Sequence, residues 1–114
     1  MPRSNWKFHL DAKNEKSAKT LFNRCLRLIG HPCLDPEIAS YSKGGYMAKC
    51  SFYHNDNLSW SEVVLEVISF SQQVGTDWLL IGDIHQDPSG VLSIKENSRT
   101  SVSGLLWSEW QVEN

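Results

Sequence analysis

The spacing of apolar residues changes twice along the chain, and these changes limit the possible fold more than any other feature. Residues 6–10, WKFHL, alternate between apolar and polar side chains, as expected of a half-buried strand. Between residues 18 and 29 the apolar residues recur every three or four positions, which indicates a helix with one buried face. Asn14 or Ser17 can cap this helix, and Gly30 can end it in a left-handed conformation.

The same change of spacing is repeated in the middle of the chain. The pair Gly44–Gly45 predicts a hairpin turn, and apolar residues alternate with mostly polar ones over residues 46–53. Ser59 and Glu62 then form a capping box, in which each side chain satisfies a free backbone N–H group. An apolar stripe at helical spacing follows, and Gly75 ends this second helix.

Three more strands are predicted in the last third of the chain. The nearly continuous apolar run DWLLIGDIH, residues 77–85, indicates a central strand that is covered on one face and partly on the other. DPSG, residues 87–90, is a turn that leads into a strand over residues 91–94. Residues 95–103 are polar and predict a loop, and residues 104–112 form the last strand.

The order β-α-β-β-α-β-β-β indicates an α+β protein. Its first six elements follow the ferredoxin-like β-α-β-β-α-β pattern, to which a C-terminal hairpin is added. We expect a two-layer sandwich, in which an antiparallel sheet carries two helices on one face. At 114 residues and without an internal linker, the chain is expected to form a single α+β domain, residues 1–114.

Charge is distributed unevenly along the chain. Residues 1–50 contain nine Lys/Arg and four Asp/Glu, whereas residues 51–114 contain two Lys/Arg and nine Asp/Glu. Two interpretations stay open: the opposite charges interleave when the chain folds, or the folded surface has an acidic side suited to a basic partner.

The cysteines and the apolar residues indicate a cytoplasmic protein. Cys25, Cys33 and Cys50 are odd in number and irregularly spaced, which favours free thiols in a reducing compartment. The N-terminal residues lack the apolar centre of a signal peptide. No stretch approaches the ~18–20 apolar residues that span a bilayer, so we expect no membrane association.

No residue pattern predicts catalysis, a metal site or a cofactor site. Asp83, His85 and Asp87 alternate and could converge on a metal ion, but the turn that they enter favours aspartate for its own geometry. The cysteines and histidines lack the paired spacing of zinc ligands. No serine or cysteine lies in a catalytic motif, and we expect that the protein is not an enzyme.

The sequence also argues against a nucleic-acid partner. Tyr53 and Trp107 could lie exposed on the sheet, where RNA-binding proteins of the sandwich fold stack bases. However, the strands of the C-terminal half carry acids that would repel phosphate groups. The basic residues gather instead in and around the first helix, whose outer face is expected to be solvated.

The last strand places two tryptophans on opposite faces of the sheet. Leu106, Trp110 and Val112 form a core-facing set, whereas Trp107 and Glu109 share the open face. Trp107 either covers a neighbouring side chain or anchors a contact, because tryptophan is enriched at binding hot spots.

The second helix with the following GTDWLLIGDIH, and the closing SGLLWSEWQV, resemble small immunity proteins of bacterial polymorphic toxin systems, including contact-dependent growth inhibition. The resemblance implies a compact cytoplasmic α/β protein that binds one cognate toxin domain, typically a nuclease. It would neutralise the toxin by blocking the active site or the access of substrate.

On that hypothesis the partner-binding surface is acidic and contains an aromatic anchor. Its residues are Trp107 as the anchor, with Glu109, Asp83, Asp87 and Glu96 as charges that attract a basic cleft. Two alternatives stay open: another interaction or regulatory module, as a monomer or a dimer, and an enzyme or small-ligand domain.

Overall fold

In the computed structural model, which describes all 114 residues, two helices lie against an antiparallel sheet of six strands. The elements are β1 Arg3–Leu10, α1 Glu15–Ile29, β2 Leu34–Ser40, β3 Tyr46–Tyr53, α2 Trp60–Val74, β4 Gly75–Thr76, β5 Leu79–Ile81, β6 Ser89–Ser93, a 3-10 helix Ile94–Glu96, β7 Arg99–Thr100 and β8 Leu105–Glu113. The predicted α+β class is confirmed.

The large sheet has the strand order β2-β3-β1-β8-β6-β5, and each neighbouring pair is antiparallel. Its first four strands have the arrangement of the split β-α-β pattern, with β8 as the closing strand. The added hairpin, β5–β6, therefore lies between α2 and the closing strand, whereas the sequence analysis placed a hairpin at the C-terminus. The short strands β4 and β7 form a separate pair.

Both helices begin and end at the predicted residues. The Asn14 side chain accepts a hydrogen bond from the Ser17 backbone N–H at 2.9 Å, and Gly30 adopts the left-handed conformation with φ 71°. The capping box of Ser59 and Glu62 is present at the start of α2. The caps are predictable because they depend on residues three positions apart.

One core joins the helices to alternate residues of the strands. Trp6 and Trp110 are opposite each other in the β1–β8 register, and both are almost completely buried. Ala18 and Phe22 of α1 and Val67 of α2 belong to the same cluster of buried side chains. The alternate residues on the other face of the sheet are more exposed, and we call this the open face.

The expectation of a central strand over residues 77–85 is wrong. Only Leu79–Ile81 form a strand, and this strand, β5, lies at the edge of the sheet. Leu79, Leu80 and Ile81 are 63%, 53% and 48% exposed. Gly82, with φ 84°, turns the chain away immediately afterwards. A continuous apolar run predicts a strand, but it does not show whether that strand has one neighbour or two in the sheet.

The core-facing set predicted for the last strand is correct for Trp110 and Val112 and wrong for Leu106. The β1–β8 register shifts between His9 and Leu10, which is the mark of a β-bulge. Leu105 is therefore buried, whereas Leu106 is half-buried and lines a groove on the open face.

Candidate binding surfaces

The five predicted partner-binding residues lie on three separate parts of the fold. Asp83 and Asp87 lie in the β5–β6 loop, Glu96 lies in the 3-10 helix, and Trp107 and Glu109 lie on β8. The loop precedes β6 and the 3-10 helix follows it. The two therefore lie at opposite ends of a five-residue strand, about 13 Å apart. The structure therefore does not bring the five side chains into one surface.

Glu109 lies at the end of a row of four charged side chains across the open face, in which two lysines lie between two glutamates. The strand registers place Glu37 opposite Lys49, Lys49 opposite Lys7, and Lys7 opposite Glu109. At the C-terminal end of β8, Glu113 accepts a hydrogen bond from the Arg3 side chain of β1 at 2.6 Å. On this face the opposite charges interleave, and the expected acidic sheet surface is absent.

The open face also contains a groove of about 790 Å³. Met47, Leu106 and Trp107 contribute apolar surface to it, and Trp107 is partly exposed. Four lysines surround it together with a single acid, Glu37. We call this region the lysine groove and define its cationic residues as Lys7, Lys43, Lys49 and Lys95.

A second exposed surface surrounds the edge strand β5. Its apolar part is Leu79–Ile81 together with Ile84, which is 46% exposed. Asp77 precedes the strand, and Asp83 and Asp87 follow it in the loop; all three are exposed. We call this region the acidic edge and define it by these seven residues.

Hydrogen bonds fix the loop of the acidic edge. The Asp83 backbone N–H donates to the Asp87 carboxylate at 3.0 Å, and the His85 N–H donates to the Asp83 carboxylate at 2.8 Å. The Trp60 indole N–H of α2 donates to the Ile84 carbonyl at 2.9 Å. The two aspartates have the turn role considered in the sequence analysis, and no group of three or more His, Cys, Asp or Glu is placed to hold a metal ion.

The part of the chain that contains α2 and the β5–β6 hairpin has no basic side chain other than histidine. No lysine or arginine occurs between Lys49 and Lys95. The acids of this segment are Asp56, Glu62, Glu66, Asp77, Asp83 and Asp87. Six of the nine acids of residues 51–114 therefore lie in this segment, and none of the six is on the open face of the sheet.

A buried polar network that the sequence did not predict connects β1 to α2. The Trp6 indole N–H donates to Ser4 Oγ at 2.9 Å, and Ser4 Oγ lies 2.9 Å from His54 Nε2. His54 Nδ1 lies 2.6 Å from the Glu66 carboxylate. A proton on Nδ1 satisfies every group, with Ser4 donating to His54 and His54 donating to Glu66.

This network has the connectivity of a Ser-His-acid triad, but its serine is enclosed. Ser4 and His54 are 0% and 1% exposed, and the Trp6 ring contacts the same hydroxyl. A substrate carbonyl cannot reach Ser4 Oγ in this arrangement. We interpret the network as structural, and no sequence spacing predicts it because its members come from distant elements.

All three cysteines are free, and two are buried. Burial raises the pKa of the Cys25 thiol to about 12, and it also raises the pKa of Cys50. Thiols that stay protonated at neutral pH are weak nucleophiles, and Cys25 and Cys50 belong to the core cluster, so they act as packing residues.

The acidic edge and the lysine groove are the two candidate binding surfaces. Neither of the two helices has both the length and the apolar character needed to cross a lipid bilayer. Comparison of the chain with protein-family models, with curated proteins and with solved structures finds no match.

Proposed function

We propose that the protein binds and neutralises a cognate toxin domain, and that the acidic edge is the principal contact surface. The observation that carries this proposal is an apolar edge strand, exposed along its whole length, between Asp77 on one side and Asp83 on the other. Proteins normally cover or charge such an edge, because its free backbone groups can pair with another strand.

The chemistry of the acidic edge favours a basic partner. A partner strand can pair with β5 through its backbone, while Leu79 and Ile81 offer apolar contacts. The aspartates around the strand attract positive charge and accelerate encounter with a basic surface. A nuclease has such a surface, because its active-site cleft must attract phosphate groups. Occupation of that cleft, or of the path to it, would stop the toxin.

The same charges disfavour pairing of two copies of this chain. If two β5 strands pair antiparallel in full register, Leu80 lies at the two-fold axis. Asp77, which precedes β5 in one copy, then lies near the end of β5 in the other copy, which Asp83 follows. Like charges brought close together at the ends of a strand pair destabilise it, so the acidic edge fits a different protein better than a second copy.

A rescue experiment tests the proposed function. We would co-express the protein with each candidate toxin domain encoded near its gene, and measure growth and the affinity of the purified pair. Leu79→Lys is expected to weaken binding at least tenfold and to abolish rescue, because it places an uncompensated charge in the contact. Leu65→Lys is the matched control, because Leu65 of α2 is also 63% exposed.

A second pair of variants tests the role of charge. Asp83→Asn with Asp87→Asn keeps the acceptors that fix the loop but removes two charges. We expect a slower association rate and a weaker dependence of that rate on salt, with little change in dissociation. Glu96→Gln, at the other end of β6, is the control. Rescue and affinity that are unchanged in every acidic-edge variant would overturn the proposed surface.

A further inference from the structure

We propose that the lysine groove is a second binding site, which holds single-stranded nucleic acid with its phosphates on the lysines and a base against Trp107. The site lies on the open face of the sheet and uses none of the residues of the acidic edge. It therefore goes beyond the proposed function and does not depend on it.

The four lysines of the groove are available for an anionic ligand. They come from separate elements: Lys7 from β1, Lys49 from β3, Lys43 from the β2–β3 connection, and Lys95 from the 3-10 helix. None forms an ion pair within 4.0 Å; the salt bridges are Met1–Asp56, Arg3–Glu113, Lys19–Glu15 and His54–Glu66. With Glu37 as the only acid in its lining, the groove is cationic.

Aromatic and apolar surface lies between these charges. Trp107 of β8 is opposite His9 of β1, which is opposite Met47 of β3. The wall beside them is fixed, because His9 Nε2 lies 2.8 Å from the Gly44 carbonyl and the His9 and Tyr41 rings are 4.9 Å apart. The groove is thus a preformed concave surface with a tryptophan inside and cations around it.

This combination fits a nucleic-acid strand better than an acidic polypeptide. Both ligands can neutralise the lysines, but every nucleotide of a nucleic acid also carries a planar base that can stack on Trp107, whereas an acidic polypeptide can stack only where it has an aromatic residue. A volume of about 790 Å³ is within the usual size of ligand sites. The acids of β8 lie outside the lining of the groove, and Glu113 is paired with Arg3.

The test uses the full protein and a fluorescein-labelled 12-nucleotide oligo(U), with anisotropy measured at two salt concentrations. We expect saturable binding that weakens as salt increases. Lys7→Gln with Lys49→Gln should weaken binding and reduce the slope of log affinity against log salt by about 1.4, or 0.7 for each lost contact. Lys13→Gln with Lys16→Gln, which lie outside the groove, is the matched control.

Variants of Trp107 separate stacking from simple charge attraction. Trp107→Leu is expected to weaken binding at least fivefold, and Trp107→Phe should restore most of it because it keeps an aromatic face. Thermal melting of each variant shows whether it is folded.

Four outcomes would overturn the nucleic-acid site. They are no saturable binding at low salt, unchanged binding by the Lys7→Gln and Lys49→Gln protein, an unchanged affinity of folded Trp107→Leu, and equally tight binding of a polyglutamate of equal charge. If toxin rescue survives the lysine substitutions while oligo(U) binding is lost, the groove is a separate site. If Leu79→Lys loses rescue but binds oligo(U), both proposals hold.

Discussion

At the scale of single residues, Gly90 is essential to the core because Trp110 lies directly over it. A Cβ atom at residue 90 would overlap the indole ring of Trp110. The ring is fully buried among core side chains and has little room to move. A strand glycine often marks close approach of another group, but the sequence does not identify which group approaches.

We expect Gly90→Ala to destabilise the protein by about 1–3 kcal/mol, which is the usual cost of overpacking a core. Urea unfolding followed by circular dichroism measures this change. Ser89→Ala, at a partly exposed position of the same strand, should leave the free energy of unfolding nearly unchanged. A stable Gly90→Ala protein would show that the indole can move at little cost.

Ser4 is a second small residue whose substitution is expected to destabilise the core. Removing its hydroxyl leaves both the Trp6 indole N–H and His54 Nε2 without a partner inside the core. We expect Ser4→Ala to lower the free energy of unfolding by about 1–3 kcal/mol, the cost of unsatisfied buried groups. Ser103→Ala, at an exposed position, is the control for thermal or urea unfolding.

Among the helices and strands, the features set by local sequence signals were predicted correctly, whereas the edge position of β5 was not. Helix caps and strand alternation depend on residues a few positions apart, so α1, β3 and the start of α2 were predictable. The edge position of β5 and the bulge in β8 depend on pairing between distant segments. An apolar run and an even alternation contain no information about these pairings.

The capping box gives a prediction for α2. The Ser59 backbone N–H donates a hydrogen bond to the Glu62 carboxylate, and this bond lowers the pKa of Glu62 below its usual 4.5. Its stabilising effect is therefore present above pH 4.5 and is lost as the pH falls through the lowered pKa. Ser59→Ala is expected to cost about 1 kcal/mol at pH 7, measured by urea unfolding.

A pH series provides the control for this element. In Glu62→Gln, unfolding should depend less on pH below 4.5, because the titrating group has been removed. Ser61→Ala changes an exposed residue in the first turn of α2, and its unfolding should depend on pH in the same way as that of the unchanged protein. Identical acid profiles for Glu62→Gln and the unchanged protein would contradict this role of the capping box.

At the scale of the whole molecule, charge is organised by strand pairing rather than by position in the chain. Lys7 and Glu109 are distant in sequence, yet β1 and β8 place them opposite each other. The opposite net charges of the two halves of the sequence therefore did not predict that acidic and basic side chains lie together on the open face. Of the five predicted partner-binding residues, Asp83 and Asp87 share the acidic edge, while Trp107 belongs to the lysine groove.

The acidic edge also leads to a prediction about assembly. We expect the protein to be monomeric in sedimentation velocity, because self-pairing of β5 would bring Asp77 of one copy close to the end of β5 in the other copy, which Asp83 follows. Asp77→Asn with Asp83→Asn removes this repulsion and should produce concentration-dependent dimers. Asparagine tolerates the left-handed conformation of residue 77, φ 61°, so the strand should persist.

Glu96→Gln removes an exposed charge elsewhere and should leave the protein monomeric. A double variant that stays monomeric at high concentration would indicate that the apolar edge alone does not drive association.

The position of β8 has a consequence for synthesis on the ribosome. This last strand lies between β1 and β6, and it contributes bonds to both. Until β8 leaves the exit tunnel, the nascent chain has two incomplete halves with open edges and no shared centre. Cooperative folding is therefore expected only after β8 has emerged, and the interval before it is when the chain most needs protection by chaperones.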